Sequence, residues 1–234
     1  MKLIKLEKYF IGGFKMHIPD GVIDLWMLLT FWGIVILAWV AAVLKSRKIL
    51  EEEEFKLPLL AIMTAMVFAL QMLNFPIIGG TSGHLLGFVL IAIILSPAQA
   101  LLSISTVLAI QALIFGDGGL ATMSANVVNM GIITMVGYFI YYAIRKVKDD
   151  DMGLYISTFI GAYLSVLLAS IVAGIEIGVS SLFPYGVEIA VPAMIFWHVF
   201  IALGEAAITL AIIIYLQKNR PDLIPKTEEL KLWW

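Results

Sequence analysis

Long apolar runs separated by short polar stretches occupy the chain from residue 25 to residue 216. A helix needs about 20 apolar residues to cross the hydrocarbon core of a bilayer, within a range of about 17 to 25. We therefore predict an all-α integral membrane protein, multi-pass in the cell membrane, with about seven transmembrane helices. The predicted spans are 25–44, 57–73, 84–95, 98–115, 126–144, 153–178 and 191–216.

The third predicted span is short for a helix that crosses about 30 Å. Ser96-Pro97 separates it from the fourth span. We expect a loop that dips into the membrane at its start, because non-helical backbone is tolerated there only where protein or a cavity covers it.

Basic residues predict the orientation, because cytoplasmic loops are enriched in Lys and Arg. The loops 74–83, 116–125 and 179–190 contain no Lys or Arg. Basic residues near the other span ends are Lys45, Arg47, Lys48, Lys56, Arg145, Lys146, Lys148, Lys218 and Arg220. The N-terminus is therefore predicted to lie outside the cell, and the C-terminus, with a tail at 221–234, in the cytoplasm.

Composition agrees with a membrane protein and limits its chemistry. Of 234 residues, 62% are hydrophobic and 14% are charged, against about 25% charged in an average soluble protein. A net charge of −2 indicates no nucleic-acid partner. With no cysteine and three histidines, side chains that hold a metal must be His, carboxylate, amide or thioether groups.

Two polar stretches combine into one candidate metal site: residues 16–21, Met-His-Ile-Pro-Asp-Gly, and residues 79–87, which contain His84. If Met16 carries a free amino terminus, three nitrogens chelate one ion in fused five- and six-membered rings. They are that amine, the His17 backbone nitrogen and His17 Nδ1. His84 is the obvious fourth donor, and a square plane of four nitrogens suits Ni(II) or Cu(II).

Residues 1–15 conflict with this site, because an attached extension converts the Met16 amine into an amide. The extension carries four lysines and lacks the apolar core of a signal peptide. Gly12-Gly13 can be encoded by a ribosome-binding sequence at the usual distance before an ATG codon for Met16. We expect translation to begin at Met16, with a short amphipathic helix on the membrane surface as the alternative.

Both stretches and their spacing resemble the substrate-binding membrane subunit of nickel/cobalt energy-coupling-factor transporters, over residues 16 to about 220. The resemblance implies a protein without enzymatic activity that binds Ni²⁺ or Co²⁺ at the outer face as its transported substrate. Its implied metal ligands are Met16, His17 and His84. Its implied partners are a transmembrane coupling subunit and two ATP-binding cassette ATPases, with a small auxiliary membrane subunit as a further candidate.

Four further residues are expected to support the ligands. Asn126 and Asn129 are three apart and share a helix face; the resemblance implies that they hold the metal loop or the His84 imidazole, and hydrogen bonding between helices is the alternative. His198 is expected beside the site rather than as a direct ligand. Asp117, in a Gly-Asp-Gly-Gly turn, either forms the turn or accepts a hydrogen bond.

Two carboxylates in the predicted spans are further candidates. Glu205 lies about a dozen residues inward on the last span, where an ionisable group is a functional candidate. It is too deep for the outer site, and we expect an interhelical hydrogen bond or a role in coupling. Glu176, near the outer end of the sixth span, is a weaker candidate.

A stripe of alanines, Ala61, Ala65 and Ala69, recurs every four residues along the second predicted span. Small residues at this spacing let another helix pack closely. Packing inside this chain is one interpretation. The resemblance implies the other, in which the stripe docks the coupling subunit.

A self-contained divalent-cation channel or secondary transporter is the alternative function. It predicts charged groups at mid-membrane and an internal inverted repeat, and the sequence contains no convincing repeat. A membrane metalloenzyme is disfavoured, because the chain has no His-Glu-x-x-His and no paired catalytic carboxylates. It also has no Gly-Lys pair and hence no phosphate-binding loop of its own.

Overall fold

The computed structural model describes residues 17–53 and 55–230, without the side chain of Glu52. Met16 and the 1–15 extension lie outside the described residues. Within them the chain forms eight α-helices: α1 (Leu25–Glu52), α2 (Lys56–Gln71), α3 (Phe88–Ile94), α4 (Pro97–Ile114), α5 (Met123–Val127), α6 (Met135–Val147), α7 (Asp151–Val179) and α8 (Val187–Asn219). A π-helical stretch, Val128–Ile133, joins α5 to α6, and a 3-10 turn, Pro221–Leu223, follows α8.

Five helical segments among the described residues are long and apolar enough to cross a membrane. They are Leu25–Glu51, Pro97–Ile114, Met123–Val147, Asp151–Val179 and Val187–Asn219. Helix α2 is also apolar but has 16 residues. A multi-pass helical membrane protein is thus confirmed, whereas the count of seven spans and the orientation remain predictions.

The third predicted span, 84–95, starts with non-helical backbone, as expected, but its helix is shorter than predicted. It begins in a β-hairpin, in which β1 (Asn74–Pro76) pairs antiparallel with β2 (Ser82–His84). Helix α3 follows with seven residues, all of them buried. At 1.5 Å per residue it is about 10 Å long, too short for a bilayer, so a hairpin and a buried helix replace the expected span.

Helix α3 lies at the centre of the main hydrophobic core. Apolar side chains from six longer helices belong to the same buried cluster as its seven residues, among them Leu101 of α4, Tyr138 of α6, Val166 of α7 and Ala202 of α8. The helix is therefore surrounded by protein, as short helical backbone at membrane depth requires.

The two ends of α3 face different regions of the molecule. Its first residue follows the hairpin that carries His84. Its last residues line a cavity of about 530 Å³, together with the end of α1, the start of α2 and parts of the segment 222–230. One short apolar helix thus lies between the histidine hairpin and a partly open cavity at its other end.

Candidate metal centre

All three histidines of the chain line one small cavity of about 40 Å³. His17 lies on the segment before α1, His84 ends β2, and His198 lies in α8. The rings of His17 and His84 are perpendicular, with their centroids 4.7 Å apart. The three residues are only 3%, 8% and 6% exposed, in the same order. The fold therefore brings together the two side chains that the sequence predicts as ligands.

A hydrogen bond selects the free nitrogen of His17. Its Nε2 lies 2.8 Å from Gln111 Oε1, a group that only accepts, so Nε2 carries the proton. The other ring nitrogen, Nδ1, is buried and has no hydrogen-bond partner among the described residues. Nδ1 is also the nitrogen that chelation from an amino terminus at Met16 requires.

In His84 and His198, the hydrogen bond of Nδ1 places the lone pair of the ring on Nε2 by the same logic. His84 Nδ1 donates to the Leu85 carbonyl at 2.9 Å, and His198 Nδ1 donates to the Met194 carbonyl at 2.7 Å. A carbonyl only accepts, so both Nδ1 atoms are protonated and both Nε2 atoms hold a lone pair. All three imidazoles therefore have one nitrogen in the form that binds a metal.

Burial keeps the two histidines outside the helices uncharged. Desolvation lowers the pKa of His17 to about 4, against the opposing effect of its hydrogen bond to Gln111. Desolvation and, to a lesser extent, the nearby His17 lower the pKa of His84 to about 3, against the opposing effect of its hydrogen bond to the Leu85 carbonyl. Both rings are neutral at pH 7, as a metal ligand must be.

Asn126 anchors the backbone next to His17. Its Oδ1 accepts from the Ile18 N–H at 3.1 Å, and its Nδ2 donates to the Ile18 carbonyl at 3.2 Å. The Thr122 hydroxyl donates to the same carbonyl at 2.6 Å, and Asp20 accepts from the Thr122 N–H at 2.9 Å. Both polar backbone atoms of Ile18, its N–H and its carbonyl, are thus hydrogen-bonded, which fixes the segment after His17.

The turn after α4 closes one side of the site. Gly118 has a φ of 78°, and a Cβ at this position would lie 3.1 Å from the Cβ of His17, so glycine fits for both conformation and space. Asp117 is buried, and its N–H donates to the Gln111 carbonyl at 2.9 Å. The backbone of Asp117 therefore takes part in the turn, at the end of the helix that carries Gln111.

Asn129 lies on the π-helical stretch and lines the cavity together with Asn126. Its Nδ2 donates to the Ala125 carbonyl at 3.0 Å and to Glu176 Oε2 at 2.6 Å. Local π-helix is frequent at functional sites. Glu176, in α7, thus contacts the site through Asn129.

Glu205 holds the turn that follows His84. Its carboxylate accepts from the N–H groups of Leu86 at 2.9 Å and Gly87 at 2.7 Å. The expectation for Glu205 was an interhelical hydrogen bond or a role in coupling; the observed bonds go to the turn before α3 rather than to another helix.

Two glutamines in apolar helices, Gln71 and Gln111, were not predicted from the sequence. Both are fully buried; Gln111 bonds His17, and Gln71 Nε2 donates to the Leu86 carbonyl at 3.0 Å. The sequence shows each of them as a lone amide in an apolar span, and such an amide usually forms a hydrogen bond between helices. It does not identify the partner.

Side chains of the described residues do not complete a metal site by themselves. Across 17–53 and 55–230, no three His, Asp or Glu residues are grouped so that they hold one ion. His17 and His84 need further donors, and the predicted ones are backbone nitrogens and the amine of Met16.

The alanine stripe faces away from the rest of the chain. Ala61, Ala65 and Ala69 are all exposed, so this face of α2 does not pack within the described part of the chain. The second interpretation, a surface for another helix, remains a prediction.

Comparison with known proteins gives consistent matches. The family model described as the cobalt uptake substrate-specific transmembrane region, CbiM, matches residues 17–223. A Methanocaldococcus jannaschii protein named for metal transport is 40% identical over 92% of this chain and 97% of its own. The fused nickel transport protein NikMN of Rhodobacter capsulatus is 32% identical over 93% of this chain and 68% of its own. The crystal structure of a truncated transition metal transporter superposes with a TM-score of 0.81 at 34% identity, covering 87% of this chain and 99% of that one.

Proposed function

The chain belongs to the CbiM family of cobalt uptake substrate-specific transmembrane proteins, and we propose that it captures Ni²⁺ or Co²⁺ outside the cell for ATP-driven uptake. In this proposal it is the substrate-specific subunit of an energy-coupling-factor transporter. The ion is its substrate, and the chain itself performs no chemical reaction on it.

One observation carries the proposal: the buried Nδ1 of His17 lies beside the ring of His84 and has no hydrogen-bond partner among the described residues. An unpaired polar atom in the interior is unfavourable unless something binds it. With Met16 as the amino-terminal residue, its amine, the His17 backbone nitrogen and His17 Nδ1 supply three nitrogens of a plane. His84 Nε2 supplies the fourth.

The donor set favours nickel without excluding cobalt. Four nitrogens in a plane suit Ni(II), and low-spin Co(II) can use the same donors. Relatives are named for both metals: the Rhodobacter capsulatus protein for nickel, and the matched family model for cobalt. We therefore propose both ions as substrates of this chain.

The proposed outer position of the site rests on the charge distribution. His17 precedes α1, whereas the basic residues Lys45, Arg47 and Lys48 lie near its far end. Basic segments favour the cytoplasmic side. An ion arriving from outside would therefore meet the histidines first.

The proposed partners follow from what the chain lacks and what it exposes. It has no phosphate-binding loop, so separate ATPase subunits would supply the energy. The exposed stripe of Ala61, Ala65 and Ala69 would dock the transmembrane coupling subunit, because small side chains permit close approach of a second helix.

Metal binding by purified protein with a verified amino terminus at Met16 tests the proposal. We expect one tightly bound nickel or cobalt ion per chain, measured by metal analysis and calorimetry. Ion flux in vesicles that contain only this chain would instead favour a self-contained channel or secondary transporter.

A further inference from the structure

Helix α2 lies at the edge of the molecule and has few buried side chains. Of its 16 residues, those buried are Met63, Val67 and Gln71. The opposite face includes the exposed alanine stripe. Helix α2 is therefore joined to the rest of the molecule through a small set of buried side chains.

Two of those three buried residues contact the turn after His84. Gly87 has a φ of 77°, and a Cβ at this position would lie 2.5 Å from Val67 Cγ2, so only a glycine backbone fits against α2 here. Gln71 Nε2 donates to the Leu86 carbonyl at 3.0 Å. The buried face of α2 thus rests on residues two and three positions after a predicted metal ligand.

A different helix holds the same turn from another direction. The N–H groups of Leu86 and Gly87 donate to Glu205 of α8 at 2.9 and 2.7 Å. Leu86 is therefore bonded to α8 through its N–H and to α2 through its carbonyl. Its position, and with it that of His84, depends on how α2 and α8 lie relative to each other.

We propose that Gln71 is a positioning residue through which α2 controls how firmly His84 is held, so that displacement of α2 loosens the bound ion. The inference rests on the proposed function, in which the exposed face of α2 docks the coupling subunit. Ala69 lies two residues before Gln71, so a partner that moves this end of α2 pulls directly on the bond to Leu86. Docking and ion release are linked by that bond.

Nickel dissociation into excess chelator tests this link on the isolated full chain that starts at Met16. Gln71→Met keeps the side-chain length and removes the hydrogen bond, and we expect nickel to leave about five- to tenfold faster. The visible spectrum of the bound nickel should stay unchanged, because every ligand is still present. A Gln71→Met protein that releases nickel at the wild-type rate overturns the inference.

Thr64→Val is the matched control on the same helix. Thr64 Oγ1 lies 2.7 Å from Ser103 Oγ of α4, so this variant also removes a polar contact of α2, but one directed away from the metal turn. We expect its dissociation rate to stay within about twofold of wild type. If Thr64→Val accelerates release as much as Gln71→Met, general loosening of α2 explains the effect, and the role of Gln71 is refuted.

A reversible cross-link should slow nickel release, which is the opposite of the effect expected of Gln71→Met and cannot result from misfolding. The chain has no cysteine, so a Thr64→Cys, Ser103→Cys double variant forms a single defined pair between α2 and α4. Oxidation should slow nickel release by about fivefold or more, and reduction should restore the original rate. A fully oxidised protein, verified by intact mass, that releases nickel at the reduced rate contradicts the inference. Wild-type protein that binds no nickel contradicts the proposed function itself.

Discussion

The imidazole of His17 donates from Nε2 to Gln111 Oε1 over 2.8 Å, across 94 positions of sequence. This bond determines the tautomer, and it leaves Nδ1 facing away from Gln111 without a partner among the described residues. The nitrogen available to a metal is thus set by an amide on α4. Metal-binding histidines commonly depend on such a partner at their second nitrogen.

Replacing Gln111 should therefore weaken metal binding. We expect Gln111→Leu to reduce nickel affinity by about 10- to 100-fold, because the ring loses the acceptor that fixes its orientation. Calorimetry measures the change. Gln99→Leu is the control, since Gln99 is equally buried on α4 but bonds Ser96 at the helix start. Equal losses in both variants would mean that a buried amide in α4 matters only for packing.

His84→Ala should abolish high-affinity metal binding while the protein stays folded in membranes. His84 ends a hairpin strand outside the long helices, so its loss removes a donor without changing the sequence of a membrane-spanning helix. His198→Ala should reduce affinity by about 10- to 100-fold, as expected of a supporting residue. Unchanged nickel affinity in His84→Ala would exclude His84 from the site.

The amino terminus should decide both affinity and pH dependence. An α-amine has a pKa of about 7.7–8.0, and binding must displace its proton, so affinity should rise with pH through this range. Protein beginning at Met16 should bind nickel tightly and show the visible absorption of a planar Ni–N4 centre. Protein that retains Met1–Lys15 should bind weakly or not at all. An intact-mass measurement that finds an uncleaved Met1 together with full affinity would refute the terminal-amine model.

Acidification should destabilise the metal-free protein. Burial lowers the pKa of His17 to about 4 and of His84 to about 3 in the folded state, whereas an unfolded histidine titrates near 6.5. Between about pH 6.5 and 4 the unfolded chain binds more protons, so the free energy of unfolding falls as pH falls. Thermal midpoints in detergent at pH 7, 6 and 5 measure this. His17→Ala should show a smaller decrease, and a midpoint that rises on acidification would contradict the prediction.

Ala65→Trp tests the docking surface. Ala65 is exposed on α2, so the bulky side chain meets no packed neighbour within the described residues, and metal binding should persist. Co-purification with a coupling subunit should fail, because the indole blocks close approach of a second helix. Loss of metal binding and co-purification together would indicate that the substitution disturbs the fold instead.

Hydropathy predicted the long helices well because membrane spans are uniform in length and apolar content. Their approximate positions follow from sequence, as does the candidate pairing of His17 with His84. A short third span with a non-helical start was expected, but the β-hairpin and the seven-residue length of α3 did not follow, because the sequence 84–95 is apolar throughout its second half. Local sequence limits α3 on both sides. Gly87, in a left-handed conformation, precedes its first residue, and Ser96-Pro97 begins the next helix shortly after its last residue.

The supporting hydrogen bonds were the least predictable part of the site. Asn126 was expected to hold the metal loop or the His84 ring, and it bonds Ile18 beside His17. Nothing local to Gln71 or Gln111 identifies the carbonyl or ring that each one bonds, because those partners come from distant segments brought together by packing. The assignment of Met16 as a ligand remains a prediction.

The short helix α3 also affects whether an ion can pass from the histidine cavity to the larger cavity. Between the histidine cavity and the larger cavity at its other end stands a plug about 10 Å thick, built from Phe88–Ile94, all apolar and buried. A hydrated dication cannot shed its water into such a layer without a very large penalty. This apolar layer therefore opposes the passage of an ion between the two cavities.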